Sequence, residues 1–193
     1  MNAEFHLPER YVAYVSIVTV YKAQLEVVRA WALMKNLRRS SEKLLFVGPS
    51  NHEYEEKVRE LISDLGLQDV VILFGDVPYD ALPAVYQGAV ANIFASSCEN
   101  CPNVLLEALA AGRPVLCSDY QPMPEFAGDA ALYFDPYNPQ SLATRLCEVL
   151  DNPRLSADLG QRSRERSAEF QWKRSAEATW QALSDLADER QGY

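Results

Sequence analysis

Histidine is almost missing from this chain, and cysteine is scarce: 193 residues hold two histidines, His6 and His52, and four cysteines. A structural zinc site needs four Cys or His ligands in paired spacing. The chain offers one close pair, Cys98 and Cys101, with Cys117 and Cys147 isolated, so no metal is expected. A thioredoxin-like dithiol is expected after the first strand of its unit, whereas this pair follows the fourth, and small buried thiols are the expectation. No G-x-G-x-x-G follows the first apolar segment and no G-x-x-x-x-G-K-[ST] occurs, which removes ordinary dinucleotide and P-loop readings. Basic residues are outnumbered, 18 against 27 acidic, for a net charge of −9. A nucleic-acid surface would need the opposite balance. No apolar run approaches the length of a membrane span. The opening MNAEFHLPER lacks a basic stretch followed by an apolar one, so no signal peptide is expected. Four cysteines without such a leader suit reduced thiols in a cytoplasmic protein.

What is present is a regular alternation. Apolar, β-rich segments occur at Tyr11 to Val18, Lys43 to Gly48, Asp69 to Gly75, Val90 to Ser96, Pro114 to Ser118 and Ala131 to Asp135. Between them lie helical patterns at Lys22 to Arg39, Tyr54 to Leu65, Leu82 to Tyr86 and Val104 to Gly112. Three more, Gln140 to Leu150, Arg154 to Phe170 and Trp172 to Gln191, finish the chain. Near-continuous apolar strands separated by helices predict an α/β fold. It is a Rossmann-like parallel sheet of about six strands with helices on both faces and a helical C-terminal tail. One domain over residues 11–193 is expected, with 1–10 as a linker or tail. Ligands of such sheets bind beyond the carboxyl ends of the strands. The loops to inspect are therefore those after Ser16, Gly48, Gly75, Ser96 and Ser118.

The stretch SSCENCPNVLLEALAAGRPV, Ser96 to Val115, carries the densest chemistry. Pro102 suits the first turn of a helix, leaving the amides of Asn103, Val104 and Leu105 free to face an anion. Glu99 stands outside that helix. Glu107 lies about five residues inside, roughly 7–8 Å along the axis, with its side chain leaning back to the N-terminus. One carboxylate on each side of a phosphate-sized site could accept the hydroxyls of a sugar and of a ribose. The plainer alternative makes Glu99 a loop charge and Glu107 an outward helix residue, although the helix is apolar on nearly every side of Glu107. The run RSRERSAE, Arg162 to Glu169, reads as an exposed face with i,i+4 pairs.

The spacing E-x₇-E followed by ALAAGRPV resembles the signature of the group 1 (family 4) retaining glycosyltransferases of GT-B fold. SCENCPNVLLE resembles a subset among O-antigen and capsule sugar transferases. VSIVTVYK, DYQPMPEFAGDAALYFDP and FQW at Phe170 to Trp172 extend the likeness from about Tyr11 to the C-terminus. The resemblance implies the donor-binding C-terminal half of such an enzyme, using a nucleotide-diphosphate sugar, with no cofactor or metal. It implies partners in a missing N-terminal half and an acceptor glycan or lipid-linked glycan, at the cytoplasmic face. It marks Glu99 and Lys22 as the residues of the transfer step: Glu99 on the donor sugar, Lys22 on the diphosphate. Glu107 would hold the ribose, and the amides of Asn103, Val104 and Leu105 the diphosphate. Asn100, Ser16, Gly75 and Val77 complete the donor contacts, with the base against the main chain near Asp76 and Val77. Many members place Gly-Arg five or six residues before the lysine; Ser16-Ile17 stands there, and Arg113 is one candidate substitute. A non-catalytic nucleotide-sugar module, or half of an epimerase of the same fold, is the alternative. The epimerase would need a histidine in the crevice.

Overall fold

A computed structural model describes residues 6–39, 41–50 and 52–191. Six parallel strands form one sheet: β1 (Tyr11–Val15), β2 (Lys43–Val47), β3 (Val71–Gly75), β4 (Ala91–Phe94), β5 (Val115–Ser118) and β6 (Ala131–Phe134). Their spatial order is β3-β2-β1-β4-β5-β6. The register aligns Tyr11 with Lys43 on one side of β1 and Val12 with Ala91 on the other. Strand order reverses between β1 and β4, and a crevice opens there at the carboxyl ends.

The helices are α1 (Gln24–Leu37), α2 (His52–Asp64), α3 (Leu82–Gly88), α4 (Asn103–Ala110), α5 (Met123–Ala127), α6 (Pro139–Asp151), α7 (Pro153–Ser167) and α8 (Trp172–Gln191). Alternate residues of each strand feed opposite layers, because successive strand side chains point to opposite faces. Val12 and Tyr14 pack with Trp31 and Met34 of α1 and Leu142 and Leu146 of α6. Tyr11, Ala13 and Val15 pack with Val85 of α3 and Leu105 and Leu109 of α4. The expected six-stranded sheet with both faces covered is what forms.

Three local differences have physical causes. The first strand stops at Val15 because the chain bends at Ser16: the Ser16 N–H still donates to the Val47 carbonyl at 2.9 Å, but beyond it only an isolated bridge between Val18 and Ser50 continues the pairing. Pro102 is the N-cap of α4 (φ −81°, ψ 70°) and lies outside its first turn. The five-residue α5 was not expected; its chain is too short to show a helical period. Of the segment 1–10 read as a tail, residues 1–5 lie outside the described residues. Leu7 already packs on the second layer, and Arg10 pairs with the buried Glu42 at 2.8 Å. The C-terminal arginines do more than form an exposed face. Arg166 donates through Nε to the Phe126 carbonyl at 2.8 Å and through Nη2 to the Glu125 carbonyl at 2.6 Å. Arg162 donates to the Asp129 carbonyl at 3.1 Å. These bonds tie α7 to α5 and to the turn that precedes β6.

Gly48 sits at φ +136°, and a Cβ there would lie 2.4 Å from the Ser16 carbonyl oxygen. Gly66, at φ +62°, has open space around it. Gly48→Ala is expected to destabilise the fold by about 3 kcal/mol or more, and Gly66→Ala by only about 1 kcal/mol. Urea denaturation of the two variants reads the difference.

Candidate functional site

Lys22 and Glu99 meet at the reversal of strand order. Lys22 ends the 3₁₀ turn Val20–Lys22, between β1 and α1, and Glu99 lies in the loop between β4 and α4. Lys22 Nζ donates directly to Glu99 Oε1. Their side chains are 8% and 15% exposed, so both charges are largely withdrawn from water. The Phe94 and Tyr21 rings flank the ammonium, their centroids 5.1 Å and 5.3 Å from Nζ. Aromatic faces favour a cation at that range.

The backbone around Lys22 is held from below. Tyr14, fully buried in β1, donates its phenol to the Lys22 carbonyl at 2.7 Å. Gln24, also fully buried, donates to Ser16 Oγ at 3.1 Å and to the Ile17 carbonyl at 2.9 Å, and accepts from the Thr19 N–H at 3.3 Å. Ala23 adopts φ +53°, the one described non-glycine residue at positive φ. That conformation costs an alanine roughly 1–2 kcal/mol, and it turns the chain between the 3₁₀ turn and α1. Ser97 fixes the opposite loop, its N–H donating to the Tyr21 carbonyl at 2.8 Å and its hydroxyl at 3.1 Å.

Glu107 lies one helix surface away. Its two oxygens accept from the phenols of Tyr79 and Tyr86, each at 3.1 Å. Asn92 of β4 donates to the Tyr86 carbonyl at 3.4 Å and steadies the helix carrying that phenol. Glu107 borders a hollow of about 180 Å³, walled by Tyr79, Leu82 and Tyr86, and a second of about 430 Å³, reaching Asn103, Phe126 and Phe170. Each carboxylate oxygen retains lone-pair capacity for a further donor. Tyr79 and Tyr86 escaped the sequence reading because they stand 28 and 21 residues from Glu107. Gln24 escaped it as well, since a single glutamine in a helix carries no spacing signal.

The remaining expected residues are placed unevenly. Among the described residues, only Val104 of the three expected amides lacks a partner. The Asn103 N–H donates to the Cys101 carbonyl and the Leu105 N–H to the Pro102 carbonyl, both at 2.9 Å. Pro102 caps the helix instead of entering its first turn, and those two amides are spent on the nearby carbonyls. Asn100 is exposed at the loop tip. The Ser16 hydroxyl is held by Gln24. The Gly75 carbonyl accepts from the Gly48 N–H at 2.8 Å. The Val77 N–H donates to Asp76 Oδ1 at 3.1 Å, and its side chain is buried. Arg113 does not stand in for the expected arginine. It precedes β5, at the amino-end rim of the sheet, with Nε donating to the Gln87 carbonyl at 2.8 Å. The eight-residue α4, about 12 Å long, separates it from the Lys22 crevice. Cys98 and Cys101 are exposed, contrary to the expectation of buried thiols. Among the described residues, no group of three or more His, Cys, Asp and Glu side chains is arranged to hold a metal ion.

The model of the family described as glycosyl transferases group 1 matches residues 3–166. The chain belongs to the group 1 glycosyltransferases. A D-inositol 3-phosphate glycosyltransferase from Acidothermus cellulolyticus is 30% identical over 157 residues, covering 79% of this chain and 35% of that protein. The Escherichia coli O-antigen chain mannosyltransferase B is 25% identical over 177 residues, covering 91% and 46%. Two solved structures share the fold. The Anabaena protein Alr3699/HepE in complex with UDP gives a TM-score of 0.82 at 19% identity, over 91% of this chain and 48% of that one. Sucrose-phosphate synthase from Thermosynechococcus elongatus gives 0.83 at 26% identity, over 95% and 47%. The chain thus spans between 35% and 48% of the length of these four proteins. Its sheet with two helical layers is one half of the GT-B fold. No helix among the described residues is long and apolar enough to cross a membrane.

Two tests follow from this geometry. Lys22→Met leaves the Glu99 carboxylate buried and unpaired, which is expected to cost about 3 kcal/mol. Adding Glu99→Gln should recover part of the loss, with a coupling of about 1–3 kcal/mol in a double-mutant denaturation cycle. The second test concerns alkaline pH. Burial pushes the phenols of Tyr14 and Tyr86 well above the tyrosine range, and the Glu107 carboxylate adds to the shift at Tyr86. Burial also holds Tyr11 at about 12, against a partial offset from Arg113. Raised folded-state values favour the neutral phenol, so this stabilisation is complete below the unfolded value of 10.0 and is lost as pH rises above it. Unfolding free energy should therefore be insensitive to these groups at neutral pH and fall steeply above pH 10.0. Tyr86→Phe should make that alkaline fall shallower.

Proposed function

We propose that this chain is the nucleotide-sugar-binding half of a retaining glycosyltransferase acting in glycan synthesis. The buried Lys22–Glu99 pair beside the N-terminus of α4 is the observation that carries this reading. Family membership and the UDP complex of the Anabaena protein support it.

In this reading the donor sugar sits against Glu99, whose carboxylate accepts its hydroxyls. The diphosphate lies between Lys22 and the free Val104 N–H, where the helix dipole also favours negative charge. A bound diphosphate competes with Glu99 for the ammonium, so donor binding trades one ionic partner of Lys22 for another. As the bond from sugar to phosphate breaks, negative charge grows on the leaving diphosphate. Lys22 and the preorganised amide stabilise that charge without reorganising, and this role assigns them no metal. The ribose reaches Glu107, and the base lies along the Tyr79 hollow. The acceptor, a glycan or lipid-linked glycan, comes from the other half of a two-domain enzyme. This half alone is expected to turn over no donor above the rate in buffer.

Calorimetry with UDP, GDP and their sugars tests the assignment. Binding of one of them below millimolar concentration is expected. Glu107→Ala should weaken it by about ten-fold or more, equivalent to about 1.4 kcal/mol. Absence of binding at millimolar concentration, or an unchanged affinity in Glu107→Ala, would overturn the reading.

A further inference from the structure

Cys98 and Cys101 are the one motif that donor binding leaves unused. Both thiols are exposed, whereas Cys117 is buried in β5 and Cys147 is half-buried on α6. Burial, with Asp119 nearby, raises the Cys117 thiol well above its usual range, and burial raises Cys147 too. Only a thiolate attacks a disulfide, so the buried Cys117 reacts poorly, the half-buried Cys147 has no neighbouring thiol described beside it, and the exposed pair carries the reactivity.

The pair brackets Glu99 and Asn100 in a stretch that is neither helix nor strand, between Phe94 and Asn103. Few contacts restrain the two cysteines. Ser96 Oγ donates to the Cys98 carbonyl at 3.2 Å, and the Cys101 thiol lies 3.7 Å from Asn103 Oδ1. Cys101 precedes the Pro102 cap, and its carbonyl accepts from the Asn103 N–H at 2.9 Å, so its backbone is held at the start of α4 while Cys98 sits on the freer side of Glu99. With no third ligand among the described residues, the pair is no closed metal site.

We propose that Cys98 and Cys101 form an oxidative modification site whose intrachain disulfide pulls Glu99 off Lys22. The oxidant is a low-molecular-weight disulfide. One cysteine thiolate attacks it, forming a mixed disulfide and releasing one small thiol. The second thiolate then displaces the other small thiol. The two cysteines lose two electrons and two protons, and the reagent leaves as two thiols. In an extended chain, residues three apart stand about 10 Å apart, while a disulfide brings the Cα atoms to within about 7 Å. The chain already bends at Asn100 and Cys101. Closure therefore falls on the backbone of Glu99 and Asn100, and the Glu99 carboxylate, carried on that small ring, is drawn off the fixed ammonium. The consequence for donor affinity rests on the function proposed above; the thiol chemistry does not.

The experiment treats the chain with oxidised glutathione and reads intact and peptide masses. The expected product has lost two hydrogens from the peptide containing Cys98 and Cys101, with the buried Cys117 alkylated only after unfolding. Amide exchange across 97–102 should change on oxidation and return with dithiothreitol. Affinity for whichever nucleotide sugar the reduced chain binds should fall about ten-fold or more. The double variant Cys98→Ser, Cys101→Ser should bind like the reduced chain and ignore the oxidant. The proposal is overturned if both thiols stay free or stop at the mixed disulfide, or if the disulfide forms with no change in exchange at Glu99. If the reduced chain binds no nucleotide sugar, the donor reading fails instead, and mass and exchange still decide the cysteine pair.

Discussion

A single ion pair withdrawn from water organises the ligand-facing end of this molecule. Lys22 and Glu99 come from opposite sides of the strand-order reversal, the one place where neighbouring loops run to different faces of the sheet. Their desolvation is costly and must be matched closely. The surrounding structure supplies the match: two aromatic rings on the ammonium, a buried phenol on the Lys22 carbonyl, and a buried glutamine under the loop. Ala23, held in a left-handed conformation, is the local strain accepted to keep the lysine aimed at the crevice.

Much of this was legible in the chain. Buried parallel strands write themselves as unbroken apolar runs, so all six were found, and with them the rim where a ligand belongs. Glu99 and Glu107 stood out because a motif fixes their spacing and because apolar neighbours surround Glu107, and Lys22 only through the resemblance to the family. What escaped depends on contacts distant in sequence. Nothing near Tyr79 or Tyr86 announces that their phenols converge on Glu107. Arg113 looked available because its place at the amino-end rim follows only from the direction of α4. The thiols of Cys98 and Cys101 looked like packing atoms because cysteine is commonly buried. The loop that carries them instead projects outward.

The C-terminal helices show how the site acquires a stable frame. Arg166 binds two carbonyls at the end of α5, where a short helix cannot satisfy its own last acceptors. The stacked Phe126 and Phe170 rings, 5.4 Å apart, close the same corner, with the Arg166 guanidinium over Phe170. This corner borders the larger hollow beside Glu107, so the frame and the hollow share residues. A group 1 glycosyltransferase half thus places its ligand-facing loops on a sheet whose far edge is stitched by arginine.

The three tryptophans divide the molecule optically. Trp31 lies wholly inside the first packing layer, against the sheet, while Trp172 and Trp180 are 82% and 72% exposed at the start and middle of α8. Intrinsic emission is therefore a sum of one blue-shifted, shielded fluorophore and two water-facing ones. A soluble quencher silences the second group first, leaving a signal that reports the sheet and α1 alone. The chain carries its own internal reference for separating melting of the core from movement of the last helix.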